Sequence, residues 1–218
     1  MHLITQAKRA IITKLKERYF SYPYQEYNES TKSIFIHIPK SAGSSILNIL
    51  GAPPMGRLHI DYSHYLRSDA KRYEEYFKFA IVRNPVDRLY SCYNYIIQGG
   101  NGEKEDVRMT EFLKSRSDSF DEFVGDVLNH QMVLGWALFR PQFFFVCNAH
   151  AECQMDMILK IENIDEDYAK LKERISGIPD KLPTLNISGK GNPPELSRRS
   201  LARIHELYEK DFEIFYPH

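Results

Sequence analysis

The chain has 218 residues, 43% of them hydrophobic, enough for one domain that buries most of the surface an unfolded chain would expose. Lysine plus arginine and aspartate plus glutamate both number 29, so no overall field draws it to nucleic acid or to an anionic membrane, and any basic site must be local. No apolar stretch reaches the ~20 residues of a membrane span, and residues 1–20 lack the apolar core and cleavage site of a signal peptide.

Residues 4–18 read as a short basic amphipathic helix, and SYPYQEYNES after them as a tyrosine-rich linker. Residues 1–30 are therefore set apart as an N-terminal helix and linker, with residues 31–218 as a single domain. The first strand is Ile34–Ile38, stopped by Pro39, and a helix follows from Ser44 to about Leu50. After the turn GAPPMG, the polar segment RLHIDYSHYLRSDAKRYEEY is helical in its second half. FKFAIVRNP is a second strand that runs apolar to Arg83 and ends at Pro85. VDRLYSCYNYII then places Val86, Leu89, Tyr90 and Tyr93 on one helical face.

GGNGEKEDVR reads as a charged, glycine-broken loop, and SFDEFVGDVLNH as a helix capped by Ser119. FFFVC (143–147) and MILKIEN (157–163) are the third and fourth strand candidates, and DEDYAKLKERI is another amphipathic helix. The C-terminal helix follows Pro193 and Pro194, with Leu201, Ile204, Tyr208 and Phe212 at helical spacing. Three cysteines, Cys92, Cys147 and Cys153, have no C-x-x-C spacing and read as reduced thiols of a cytosolic protein, with a Cys147–Cys153 bridge left open. Alternating strands and helices predict an α/β fold, a central parallel β-sheet flanked by helices, with ligands outside the carboxyl ends of the strands.

That edge collects two basic loops. Lys40, Ser44 and Ser45 leave strand one in HIPKSAGSS, while Arg83, Asn84 and Arg88 leave strand two in VRNPVDR, and Ser91 lies two turns into the next helix. A strand-to-helix turn offers unpaired amides to an anion. The order differs from the triphosphatase loop G-x-x-x-x-G-K-[ST], because Lys40 precedes Gly43 and the hydroxyls follow it. Two cationic loops suit a ligand with two separated anionic groups.

HIPKSAGSS and FAIVRNPVDRLYSCY together resemble the phosphosulfate-binding and 3′-phosphate-binding motifs of sulfotransferases that use 3′-phosphoadenosine 5′-phosphosulfate (PAPS). The loop form is similar to that of the carbohydrate branch, which includes heparan and chondroitin enzymes and small bacterial relatives. FRPQFFFVC, ILKIENIDEDYAKL, LPTLNIS and LYEKDFEIFY extend the likeness over residues 33–216. The resemblance implies a three-layer fold related to the P-loop kinases, PAPS as co-substrate and no required metal. It also implies a hydroxyl-bearing acceptor, a saccharide or glycolipid.

Carried over by position, Lys40, Ser41, Ala42, Gly43, Ser44 and Ser45 would hold the 5′-phosphosulfate, with Lys40 also stabilising charge on the leaving oxygen. Arg83 and Ser91 would hold the 3′-phosphate. Asn186, Ser188 and Lys190 resemble a late loop that closes over the nucleotide. His59 matches the family's base position better than His64, with Asp61 or a glutamate as alternatives. Arg57, Arg67, Lys71 and Arg72 flank that base and would meet an anionic saccharide or be a solvated helix face. Lacking an anchor, the chain fits a bacterial cytoplasmic enzyme. The other readings are a nucleotide kinase, disfavoured by the placement of Lys40, and a nucleotide-binding protein without turnover.

Overall fold

Ser33–Ile36 (β1), Phe77–Val82 (β2) and Met157–Lys160 (β3) form a parallel sheet in the order β1-β2-β3, in a computed structural model that describes residues 22–53, 58–183 and 192–217. Ser33 pairs with Phe77 and Ile36 with Ala80 on one side of β2; Phe79 pairs with Met157 and Val82 with Lys160 on the other. Parallel strands are covered on both faces, which is why SIFI and FKFAIV are apolar nearly throughout rather than alternating. Ile34, Ile36, Ala80 and Val82 face one layer with Tyr65, Tyr73, Phe145 and Phe215. Phe35, Phe79, Ile81 and Leu159 face the opposite layer with Ile46, Leu47, Tyr168 and Leu171. A third apolar cluster, around Leu89, Phe123, Phe139 and Ile204, joins the helices to one another.

Glu26–Thr31 (α1) is helical where a linker was expected. Tyr24 and Tyr27 are buried, and the Asn28 side-chain amide donates to the Ser33 carbonyl (2.8 Å), tying the helix to the start of β1. The basic helix expected over residues 4–18 lies outside the described residues. Gly43–Ile49 (α2), Tyr62–Ser68 (α3) and Ala70–Glu75 (α4) lead from β1 to β2, and Pro85–Ile97 (α5) follows β2. Lys104–Lys114 (α6) corrects the loop reading of GGNGEKEDVR: Met109 and Leu113, four apart, bury one stripe of an otherwise charged helix. Ser119 caps Phe120–Glu122 (α7), accepting from the Glu122 amide (3.1 Å), and a π-helical turn covers Phe123–Val127 before His130–Gly135 (α8).

FFFVC is not a strand. Phe143–Val146 (α9) is a single helical turn, because the amides of Gln142 and Phe143 donate to the two carboxylate oxygens of Asp211 (2.8 Å each) and so are capped as a helix start. Phe145 and Val146 go into the core while Phe144 is exposed. Ile164–Arg174 (α10) follows β3 as expected. The C-terminal helix is two, Arg198–Leu207 (α11) and Glu209–Phe215 (α12). They part at Tyr208, whose hydroxyl donates to the Phe139 carbonyl (2.7 Å) from a non-helical backbone. No helix among the described residues is long and apolar enough to cross a membrane.

Candidate functional site

Between β1 and α2 the chain turns through Pro39–Ala42 with two non-glycine residues in the left-handed region, Lys40 at φ 65° and Ala42 at φ 58°. Such residues cost roughly 1–2 kcal/mol each and turn successive amides to one side, as anion-binding concavities do. A Cβ on Gly43 would fall on the His37 imidazole, so glycine alone lets α2 start this close to the strand end. Ala42 is the N-cap residue, so α2 starts one residue before the expected Ser44, and the Ser45 amide donates back to the Ala42 carbonyl (3.0 Å). The Gly43 and Ser44 amides lie in the first turn of α2, where a helix amide has no intrahelical acceptor. Ser45 is buried, and the Ser41 hydroxyl is buried with no hydrogen-bond partner among the described residues.

Lys40 is half-buried, with its Nζ 4.6 Å from the centre of the Tyr95 ring on α5. The Tyr95 hydroxyl donates to Asp106 (3.0 Å); burial and that carboxylate push its pKa up to about 12. Burial lowers the pKa of Lys40, the Cys92 thiol opposes the shift, and the Arg83 guanidinium adds to it. β1 and β2 are neighbouring parallel strands, so the loops leaving their carboxyl ends lie side by side, and the Arg83 charge acts on Lys40. A half-buried lysine beside a second cation and a buried serine hydroxyl that has no partner among the described residues is a donor set that fits an anionic guest.

Arg83 is placed through its backbone. Its amide donates to Gln142 Oε1 (2.9 Å) and its carbonyl accepts from Gln142 Nε2 (2.8 Å), which also fixes which way the Gln142 amide points. Gln142 is fully buried, and its own amide is held by Asp211. Burial pushes the Asp211 carboxyl above its usual range, against the Arg88 charge and the Gln142 and Phe143 amides.

Arg88 is not a ligand group. It is fully buried and donates to the carbonyls of Leu138 (3.2 Å) and Arg140 (2.7 Å). Asn84 is a helix cap, accepting from the Val86 amide (2.9 Å) while its own amide donates to Glu162 (2.6 Å). Ser91 is buried on α5 next to Cys92, whose thiol lies within reach of the charges of Arg88, Lys40 and Arg83.

The two histidines have different surroundings. His59 is an exposed loop residue whose Nδ1 lies 3.1 Å from the His37 carbonyl, with the two rings 4.3 Å apart. A carbonyl only accepts, so Nδ1 is the donor in this contact and carries the proton. His64 sits on α3 with Nδ1 3.3 Å from Asp61, which caps that helix through the Ser63 amide (2.8 Å). Burial raises the Asp61 pKa, but the hydroxyl and amide of Ser63 and the His64 ring outweigh it and hold the carboxyl below its usual range.

The flanking cations do not form one patch: Arg72 pairs with Glu29 (2.9 Å) and Asp69 (3.2 Å), and Lys71 with Glu75 (3.8 Å). Arg67 is exposed; Arg57, Asn186, Ser188 and Lys190 lie outside the described residues. Sequence reasoning missed His37, Tyr95, Gln142 and Asp211. Only Tyr95 left a signal, standing one helical turn beyond Ser91.

The sulfotransferase family model matches residues 27–217, and the chain belongs to that family. No curated protein and no solved structure matches it.

Proposed function

We propose that this sulfotransferase-family chain takes PAPS as its donor and belongs to the carbohydrate branch, moving the sulfuryl group to a hydroxyl of a saccharide or glycolipid in the bacterial cytoplasm. Residues 31–218 act as one domain of the three-layer, P-loop-kinase-like kind. The observation that carries this reading is the approach of Lys40 and Arg83 from adjacent strand ends. PAPS supplies an activated sulfuryl group and presents two separated anionic groups, which matches two converging cationic loops.

Lys40, Ser41 and Ser44, with the amides of Gly43 and Ser44, hold the 5′ end. Ala42 and Ser45 shape the turn that aims them. Lys40 sits where negative charge grows as the sulfuryl group departs, and its partial burial strengthens that interaction. Arg83 and Ser91 hold the 3′-phosphate, with Asn186, Ser188 and Lys190 closing over the nucleotide. His59 takes the acceptor proton at Nε2, while the His37 carbonyl keeps its Nδ1 protonated. In-line positioning and charge stabilisation account for the chemistry without a metal ligand set.

Calorimetry with 3′-phosphoadenosine 5′-phosphate and with ADP tests the reading. The first should bind at least about tenfold more tightly, a difference of about 1.4 kcal/mol. Tighter binding of ADP would overturn it in favour of a kinase. Transfer of labelled sulfate from PAPS to a panel of saccharides and glycolipids should then give product; binding without any transfer would indicate a protein that keeps the site but not turnover.

A further inference from the structure

Two of the three thiols face each other across a short hairpin that connects α9 to β3. The Asn148 amide donates to the Glu152 carbonyl (3.0 Å) and the Gln154 amide to the Val146 carbonyl (2.8 Å), pairing Cys147 with Cys153 as antiparallel neighbours. Those bonds flank the cysteine pair, which is therefore a non-hydrogen-bonded pair, the kind whose Cα atoms approach to ~4.5 Å with both side chains on one face. A disulfide needs Cα atoms roughly 4.4–6.8 Å apart. The hairpin does not depend on a covalent bond for its register. Asn148 Oδ1 accepts from the amides of His150 (2.9 Å) and Glu152 (3.0 Å), and its Nδ2 donates to the Glu152 carboxylate (2.7 Å).

The two sulfurs are not equivalent. Cys147 is buried among Phe143, Phe145, Val146 and Tyr62, whereas Cys153 is exposed, and both are free thiols. The Cys147 thiol alongside brings the Cys153 pKa down to about 7 against the effect of burial, with the Met155 amide assisting, while Cys147 is pushed up by Cys153 and by burial. The exposed sulfur is thus the better nucleophile near neutral pH, and the buried one is held beside it as a thiol.

We propose that Cys147 and Cys153 form a redox-active dithiol that closes reversibly to a disulfide on meeting a low-molecular-weight disulfide, with Cys153 attacking and Cys147 resolving. The Cys153 thiolate attacks one sulfur of the small disulfide; the S–S bond breaks, a mixed disulfide forms at Cys153, and one small thiol leaves with the proton Cys153 gave up. Cys147 then loses its proton and attacks the Cys153 sulfur, forming the Cys147–Cys153 bond and releasing the second small thiol. The protein pair is oxidised by two electrons and the small disulfide is reduced to two thiols. The proposal is independent of the sulfuryl-transfer reading.

The test uses the full chain, reduced and then equilibrated at neutral pH in glutathione buffers of increasing oxidised fraction, acid-quenched, alkylated and read by peptide mass spectrometry. Wild type should lose two hydrogens within the segment holding Cys147 and Cys153, regain them in excess reduced glutathione, and leave Cys92 unmodified until unfolded. Cys147→Ser should stop at a glutathione adduct on Cys153. Cys153→Ser should lose native-state thiol at least about tenfold more slowly than wild type, in keeping with a buried Cys147. A wild type that stays dithiol at every ratio, or one that accumulates a stable adduct at Cys153 without closing, would overturn the proposal. So would a Cys153→Ser chain that reacts as fast as wild type.

Discussion

Replacing Gln142 with leucine removes the side chain that fixes Arg83 while keeping nearly the same volume, so little cavity results. Both lost bonds are short, 2.9 Å from the Arg83 amide and 2.8 Å to its carbonyl, and Gln142 is fully buried. Two neutral hydrogen bonds at ~1 kcal/mol each give about 2 kcal/mol, and an Arg83 amide or carbonyl left unpaired adds ~1–3 kcal/mol where water does not reach it. Urea unfolding should therefore show a loss of about 2–5 kcal/mol. Stability alone does not test the placement of Arg83. If the Gln142 clamp aims the guanidinium, the affinity for 3′-phosphoadenosine 5′-phosphate should fall about tenfold, some 1.4 kcal/mol, with AMP affinity nearly unchanged. Calorimetry with the two nucleotides below the unfolding range reads the ratio directly. An unchanged ratio beside the full stability loss would refute the positioning argument and leave Gln142 as packing.

Arg83→Ala should abolish most of the preference for the 3′-phosphorylated nucleotide while sparing AMP; equal losses for both would indicate general damage to the site. Lys40→Ala should lower turnover by about 2–4 kcal/mol of transition-state stabilisation, far more than it weakens the desulfated nucleotide. In wild type, burial, opposed by Cys92, and Arg83 lower the Lys40 pKa, so the active cation is lost at a lower pH than for an ordinary lysine. The alkaline limb of the rate profile should begin correspondingly early and vanish in Lys40→Ala, and a limb retained in that variant would belong to another group. His59→Ala should remove most turnover without affecting nucleotide affinity, and His64→Ala should do much less; the reverse order in steady-state assays would move the base to His64.

The parts of the fold that depend on local pattern were legible. Ile34–Ile36, Phe77–Val82 and Met157–Lys160 are apolar runs bounded by polar residues or proline, and they are the strands. FFFVC has the same appearance, yet its fate is decided by a carboxylate far along the chain, since Asp211 captures the two amides that start a helical turn. Periodicity cannot see such a cap. The helix over Lys104–Lys114 was hidden for the opposite reason, its two core residues being outnumbered by charges beside three glycines. At the site, the loop after β1 was readable because glycine and serine are residues that a tight turn favours, and a lysine stands inside that turn. Gln142 was not, because it acts through the backbone of Arg83 and no local motif records that contact.

The two arginines of VRNPVDR show where charge counting stops being informative. Arg83 stands before the N-cap Asn84, at the strand edge, and stays partly open. Arg88, one turn into α5, points inward and is fully buried, although it reads as a surface charge. A buried guanidinium is tolerated only with partners, and it finds them in the carbonyls of Leu138 and Arg140, the face of Tyr208 and the charge of Asp211. Those partners are not scattered. Arg88 grips Leu138 and Arg140 by their carbonyls, Asp211 grips 142 and 143 by their amides, and Gln142, fixed between them, holds the backbone of Arg83. The fully buried arginine is therefore tied to the backbone of the partly open one through a segment that neither arginine's sequence neighbourhood reveals.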